Sequence, residues 1–261
     1  MFRRTLFKSM FLPFLPLSLT AAETIQEEKY HPIVDWAEKN FYIGDGENRK
    51  LIKLYPYQKK VLTDWMSPGV IKTWVGCRQS GKTTLSCIHA RYMCEHTVNH
   101  KYALFNSHHW WRQYNKKLIT NSFADDSPFK TKSKTFINAW GIGINNSTIL
   151  FMPYMCDAVC GYRLDTCAFD EHDFIDANYA EELHHCIVPC FLSQKDSKII
   201  SSSSLSKIPN TVFKRLVDKS KPIYTTWNEI PGRTNQWKKQ MIGYMNNDST
   251  IFNLEYENRL T

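Results

Sequence analysis

An α/β fold, a mostly parallel sheet flanked by helices, is what the sequence predicts, and three observations carry that expectation. Short apolar runs at 70–75, 101–107, 167–169 and 198–200 have the length and composition of buried strands. Helically spaced segments, such as the one carrying Leu85, Ile88, Arg91 and Tyr92, stand between them. A loop with two glycines joins the first apolar run directly to that helical segment.

That loop organises the rest. Trp74 to Thr84 read W-V-G-C-R-Q-S-G-K-T-T, which contains a complete G-x-x-x-x-G-K-[ST] pattern. Its residues are Gly76, Cys77, Arg78, Gln79, Ser80, Gly81, Lys82 and Thr83, with Thr84 following. The glycines let consecutive backbone N–H groups face a phosphate, and the helix that starts near Lys82 aims its positive end at the same anion. Lys82 is expected to reach the β- and γ-phosphates as a point charge, and the Thr83 hydroxyl to ligate Mg²⁺. The bland reading, a glycine turn with a chance lysine, does not account for the strand before it and the helix after it.

The chain has 261 residues, 43% hydrophobic and 22% charged, which excludes a disordered chain and allows one large domain or two small ones. A net charge of +8 favours polyanionic partners. Eight cysteines include no C-x-x-C. Cys156/Cys160 and Cys186/Cys190 are each separated by three residues, with His184 and His185 beside the second pair. Two readings stand: reduced, partly buried thiols of an intracellular protein, which is the expectation, or a zinc site.

Residues 1–29 read as an N-terminal extension. Arg3 and Arg4 precede an apolar run from Met10 to Leu19, as in a twin-arginine export signal. Pro13 and Pro16 break that run, which is too short to span a membrane. A basic amphipathic extension or an over-long gene start is the competing reading, and it fits a cytosolic protein better.

From residue 30 the elements follow in order. Pro32 to Phe41 has helical spacing, and so does Leu51 to Trp65, opened by Tyr55-Pro56-Tyr57-Gln58. The Gln58 amide can donate and accept at once, which matches an adenine edge. Lys101 to Ser107 reads as a strand, and the His108-His109-Trp110-Trp111 stretch leads into a helix whose aromatic and basic residues suit DNA or the core. Lys134 to Met152 reads as an antiparallel pair, with Phe136, Ile137 and Trp140 on one arm and Asn145-Asn146 at the turn. Cys167-Ala168-Phe169 is a small apolar strand ending in Asp170-Glu171. A strand that ends so places both carboxylates at the sheet's carboxyl edge, Asp170 for the Mg²⁺ shell and Glu171 to deprotonate the attacking water. Lys198 to Ile200 is a further strand running into Ser201–Ser204, read either as a hydroxyl relay or as a flexible serine loop.

From about Tyr55 to Thr261 this order of motifs resembles the large terminase subunit of tailed phages and herpesviruses, specifically its ATPase domain. Tyr57-Gln58 looks like the family's adenine-contacting motif, C-R-Q-S-G-K-T like its phosphate loop with the early arginine at Arg78, and D-E-H-D-F-I like its Walker B ending. Ile199 to Ser204 is similar to its coupling motif, and Ile251 to Glu257 to the stretch that closes its ATPase domain. The resemblance implies a P-loop NTPase fold of the RecA/ASCE-like kind over residues 30–261, with a small lid from residues near 30–60 and 210–261. It implies ATP hydrolysis with Mg²⁺, by Glu171, Lys82 and Arg78, with Gln58 and the loop residues holding ATP and Ser202, Ser203 and Ser204 coupling the site to movement. Double-stranded DNA, a portal protein, a small terminase subunit and a homo-oligomeric ring in the host cytoplasm are the implied partners and setting, with no membrane.

Two departures stand out. Where the family often has Arg-Gly, this chain reads Cys160-Gly161, which leaves Arg163, three residues on, as the candidate arginine finger. Leu205 stands where the coupling motif usually has proline. The family's nuclease domain normally begins where this chain stops, so none is expected in it. The rival readings are another P-loop DNA-dependent or helicase-like ATPase, a small-molecule phosphotransferase and a non-catalytic scaffold.

Overall fold

The computed structural model describes residues 29–106, 109–125, 140–191 and 197–259. Among them the strands are β1 (Tyr42–Ile43), β2 (Lys50–Leu51), β3 (Ile71–Gly76), β4 (Lys101–Asn106), β5 (Gly141–Ile144), β6 (Ser147–Pro153), β7 (Thr166–Asp170), β8 (Lys198–Ser203) and β9 (Ile223–Thr225). The helices are α1 (Ile33–Asn40), α2 (Pro56–Met66), α3 (Lys82–His96), α4 (His109–Ser122), α5 (Ala177–Phe191), α6 (Val212–Lys219), α7 (Asn235–Tyr244) and α8 (Ser249–Tyr256). None of the described helices is long and apolar enough to cross a membrane.

Seven strands make one sheet in the order β5-β6-β4-β7-β8-β3-β9. Only the β5–β6 pair is antiparallel; the others run parallel, so their carboxyl ends share one edge. β8 lies between β3 and β7 and is in register with both: Ser202 sits opposite Trp74 on one side and opposite Asp170 on the other. The central strands are buried on both faces, which is why they read as apolar runs and not as alternating patterns.

One face carries α1, α2 and α3. Ile33, Val34, Phe41, Leu62 and Trp65 share a core with Trp74, Leu85, Ile88 and Tyr102. The Trp65 and Trp74 rings meet edge to face at 6.1 Å. The other face is filled by Phe105, Phe169, Leu183, Ile187 and Ile199. Of the two stretches expected near 30–60 and 210–261 as a lid, the first contributes α1 and α2 to the main core. The second contributes β9 to the sheet beside β3 and brings α8 against the phosphate loop, where Glu255 O accepts from Arg78 N at 2.8 Å.

Four sequence expectations change. The helix read from Leu51 begins at Pro56, because the pre-proline Tyr55 is extended (ψ 157°) and Leu51 pairs in β2. The first hairpin arm is Gly141–Ile144, with Trp140 exposed ahead of it; Phe136 and Ile137 lie outside the described residues. The turn at Asn145-Asn146 is as expected, with both residues at positive φ (51° and 62°). Ser201–Ser204 are not a loop tip: β8 runs through Ser203 and all four serines are buried. Cys156 and Cys186 are not reduced thiols. The turn after β6 and the end of α5 bring their Cα atoms to 5.8 Å, within bonding reach, and they form a disulfide.

Arg91 on α3 shows how a helical pattern hides a charge. It is 3% exposed, pairs with Glu95 at 2.7 Å and donates to Asn40 O and Ser122 O at 2.9 and 2.7 Å. Its guanidinium stacks 3.9 Å from the Phe123 ring. Removing it strands Glu95, whose carboxyl burial already pushes up. Arg91→Ala is therefore expected to lower unfolding free energy by about 3–5 kcal/mol, read from urea denaturation, and Arg91→Lys to recover little of it.

Candidate nucleotide site

Gly76 ends β3 and Lys82 starts α3, so the five residues between them must fold tightly over the helix N-terminus. A Cβ at Gly76 would lie 2.8 Å from the Trp74 ring and 2.9 Å from Ser80 Oγ; one at Gly81, at φ +92°, would lie 2.7 Å from Gln58 Nε2. Gln79 takes the left-handed conformation as well (φ 60°). No side chain caps α3, so its first N–H groups are open to an anion. Ser80 Oγ is buried without a hydrogen-bond partner.

The acidic end of β7 faces this loop. Thr83 Oγ1 donates to Asp170 Oδ2 at 2.5 Å, and Lys82 Nζ lies 3.4 Å from Glu171 Oε1. Lys82 is 4% exposed and folds back on the loop carbonyls of Gly76 and Cys77, at 3.2 and 3.3 Å. Asp170 is buried, and its Oδ1 has no partner. Burial, then the neighbouring Glu171 charge, push its carboxyl up to about 6. A buried carboxylate oxygen with no donor, beside a threonine hydroxyl, is a donor set that fits a hard divalent cation.

A cavity of about 530 Å³ opens over these groups. Arg78, Gln79, Ser80, Gly81, Lys82, Thr83, Thr84, Glu171 and Ser204 line it, with Trp111, Tyr114 and Phe174 as an aromatic wall. Most of the expected site residues thus meet in one place. Cys77 and Gly76 lie in the loop behind, the Cys77 thiol pushed up by burial. Gln58 does not line the cavity: its Nε2 donates to Ser80 O at 3.0 Å and its Oε1 accepts from Tyr55 N, so the amide braces the loop. Ser202 and Ser203 also face inward, bonding Phe169 O and Asp173 N; of the serine row only Ser204 reaches the cavity. Arg78 pairs with Glu255 at 3.0 Å at the cavity rim. Arg163 is exposed three residues before β7, at the end of the strand opposite the acids, and does not line its own chain's cavity.

Three supporting residues escaped the sequence reading. Arg233 donates to Arg78 O and Gln79 Oε1 (3.1 and 3.2 Å) and stacks on Trp237, propping the loop from outside. His172 is buried, stacks on Phe169 at 4.5 Å and hydrogen-bonds Ser201; burial, then His184, lower it to about 3, so it stays neutral. Asp173 accepts from Ser206 N at 2.5 Å and from the Thr211 hydroxyl, and its own N–H donates to Ser203. It ties the acid loop to the segment after β8. His172 and Asp173 had a local signal, their place in D-E-H-D-F-I; Arg233 had none.

A phosphate loop on β3, an acid pair ending β7 and one strand between them define the fold of P-loop ATPases. More narrowly, the fold is that of the ATPase domain of phage large terminases. The HK97 bacteriophage large terminase superposes with a TM-score of 0.69 at 12% identity, over 87% of this chain and 54% of that one. A Thermus phage P74-26 large terminase ATPase-domain mutant gives 0.60 at 12%, over 80% and 95%. The large terminase of a thermophilic bacteriophage, in complex with ADP, gives 0.51 at 15%, over 73% and 50%. The chain thus spans about half the length of the HK97 protein and of the ADP-bound one. No family model matches the chain, and no curated protein matches it by sequence.

The raised Asp170 carboxyl has a consequence for stability. Its pKa is higher folded than unfolded, so the native state binds a proton more readily and loses stability as pH rises from about 3.8 through about 6. Each unit is worth about 1.4 kcal/mol. In EDTA and without nucleotide, Asp170→Asn is expected to melt above the parent chain at pH 8, with the gain gone by pH 4. An unchanged difference across that range in a thermal-melt series would show that Asp170 does not carry a buried charge.

Proposed function

We propose that this chain hydrolyses ATP as the motor of viral DNA packaging, moving double-stranded DNA into a procapsid. The observation that supports it best is the convergence of Lys82, Thr83 and Glu171 on one cavity, with Asp170 hydrogen-bonded to Thr83 just behind it, in a fold shared with phage large terminases. Lys82 and the α3 N-terminus hold the β- and γ-phosphates. Glu171, 40% exposed and next to the cavity, orients a water and takes its proton. Asp170 and Thr83 would hold Mg²⁺, which when bound supplies charge neutralisation to the phosphates. Arg78 acts on its own chain's ATP, and Arg163 is the candidate for a neighbouring subunit's. Movement passes along the chain from Glu171 to Asp173, and from Asp173 by direct hydrogen bonds to Ser203, Ser206 and Thr211, the N-cap of α6.

In this reading residues 30–261 form the ATPase domain, working as a homo-oligomeric ring on the portal protein, with a small terminase subunit, in the host cytoplasm. The net charge of +8 suits non-specific, salt-sensitive contact with DNA phosphates.

The test is turnover of ATP by the purified chain with and without linear duplex DNA. Stimulation by DNA supports the motor; turnover that ignores DNA but rises with a small phosphoryl acceptor favours a phosphotransferase. Lys82→Ala is expected to abolish turnover, and Glu171→Gln to keep nucleotide binding while slowing hydrolysis by on the order of 10² to 10⁴.

The two arginines separate by the same assay. Arg78→Ala is expected to lower turnover strongly and Arg163→Ala less, since only Arg78 lies on its own chain's cavity. A finger is worth about 10³ to 10⁵ in rate. If Arg163→Ala is inactive alone yet recovers when mixed with Lys82→Ala, while Arg78→Ala is near normal, the order is reversed.

A further inference from the structure

Four of the cysteines that the nucleotide site leaves unused stand on two segments that flank β7 in sequence. One arm is the 3₁₀ turn Cys156–Ala158 and the turn that follows it to Cys160; the other is the last turns of α5, with Cys186 and Cys190. Cys156 and Cys186 are bonded. A single disulfide uses two cysteines, but each bonded one here has a partner four residues on. The Cys160 thiol donates back to Cys156 O at 3.6 Å and the Cys190 thiol to Cys186 O at 3.4 Å, so both free sulfurs lie over the bonded pair's own turns. The ligand atoms of Cys156, Asp157 and Cys160 all lie within 4.8 Å of one another, and the Cys186 sulfur is one bond from that group. Cys160 is exposed and Cys190 half-buried.

We propose that Cys156, Cys160, Cys186 and Cys190 form a four-thiolate site for a zinc ion, of which the Cys156–Cys186 disulfide is the oxidised, metal-free form. The two equal C-x₃-C arms supply the four soft donors that a closed tetrahedral zinc site takes. Thiolate outranks the hard Asp157 carboxylate as a ligand for this ion. A structural disulfide is otherwise hard to account for, because two large cores already hold both faces of the sheet. Conversion is balanced. A cellular dithiol gives two electrons and two protons to the Cys156–Cys186 bond and becomes a disulfide itself. Zn²⁺ then displaces the protons of the four thiols to solvent. The arms flank β7 in sequence, so the ion fastens the segment before the acidic strand to the helix after it.

The experiment uses the full chain reduced with a phosphine, freed of reductant and titrated with Zn²⁺ and, separately, with Co²⁺. Expected are about one zinc ion per chain, protection of four thiols from a thiol reagent, and the visible and near-ultraviolet bands of tetrahedral cobalt thiolate. The double variant Cys160→Ser, Cys190→Ser keeps the pair that bonds in the structure, and should retain its circular dichroism while losing the cobalt bands. Reduced wild-type chain that takes up no zinc overturns the proposal, as does a folded double variant that binds cobalt with the wild-type spectrum.

Discussion

The hydrogen bond from Thr83, in the first turn of α3, to Asp170, at the end of β7, ties the loop after β3 to a strand that is not its neighbour, and the rest of the site depends on it. Strands lie about 4.8 Å apart, so β3 and β7, with β8 between them, stand about 10 Å apart. Backbone contacts cannot bridge that gap; side chains from the loop and from the acid end must. Parallel pairing of β8 with both, in a common register at Ser202, fixes the two ends at the same height. A one-residue slip in either pairing would turn the side chains to the opposite face and separate the hydroxyl from the carboxylate. The small hydroxyls of Ser202, Ser203 and Ser204 belong to this constraint: bulky residues at the end of β8 would fill the space between the two partners.

Holding the acids in place carries a conformational cost. Glu171 sits at φ 54° and Gln79 at φ 60°, positions that L-residues with side chains rarely take, each at on the order of 1 kcal/mol or more. The surroundings offset it at the acid end. The Tyr154 hydroxyl donates to Asp170 O, the Phe105, Phe169 and His172 rings stack beneath at 4.8 and 4.5 Å, and Asp173 is anchored on two elements. At the loop end Arg233 and α8 play the same part. The kink at Glu171 turns its side chain out of the strand toward the cavity, whereas Asp170 stays within the sheet.

What the sequence made legible was local. The phosphate loop, the acid pair and the buried strands each declare themselves within ten residues or so, because glycine spacing, strand-terminal carboxylates and apolar runs follow directly from backbone chemistry. Gln58 was found but its role was not: nothing in Y-P-Y-Q tells whether an amide faces a base or the Ser80 carbonyl. Ser201–Ser204 look like a linker because serine has little strand preference; burial between β3 and β7 overrides that preference. The burial of Arg91, the prop at Arg233 and the Cys156–Cys186 bond all arise from pairings of segments 30 or more residues apart. No local pattern encodes those.

The state of Lys82 gives the site its chemistry. A lysine 4% exposed cannot stand unpaired, since the cost of burying a lone ammonium is several kcal/mol. Here it is satisfied by the loop's own carbonyls and by Glu171. On the proposed reading a polyphosphate does not create a new charge pair but exchanges one, taking Lys82 from Glu171. That exchange releases a half-exposed carboxylate beside the cavity at the moment a phosphate arrives. The Glu171 oxygens, no longer occupied by the ammonium, can then accept a hydrogen bond from water.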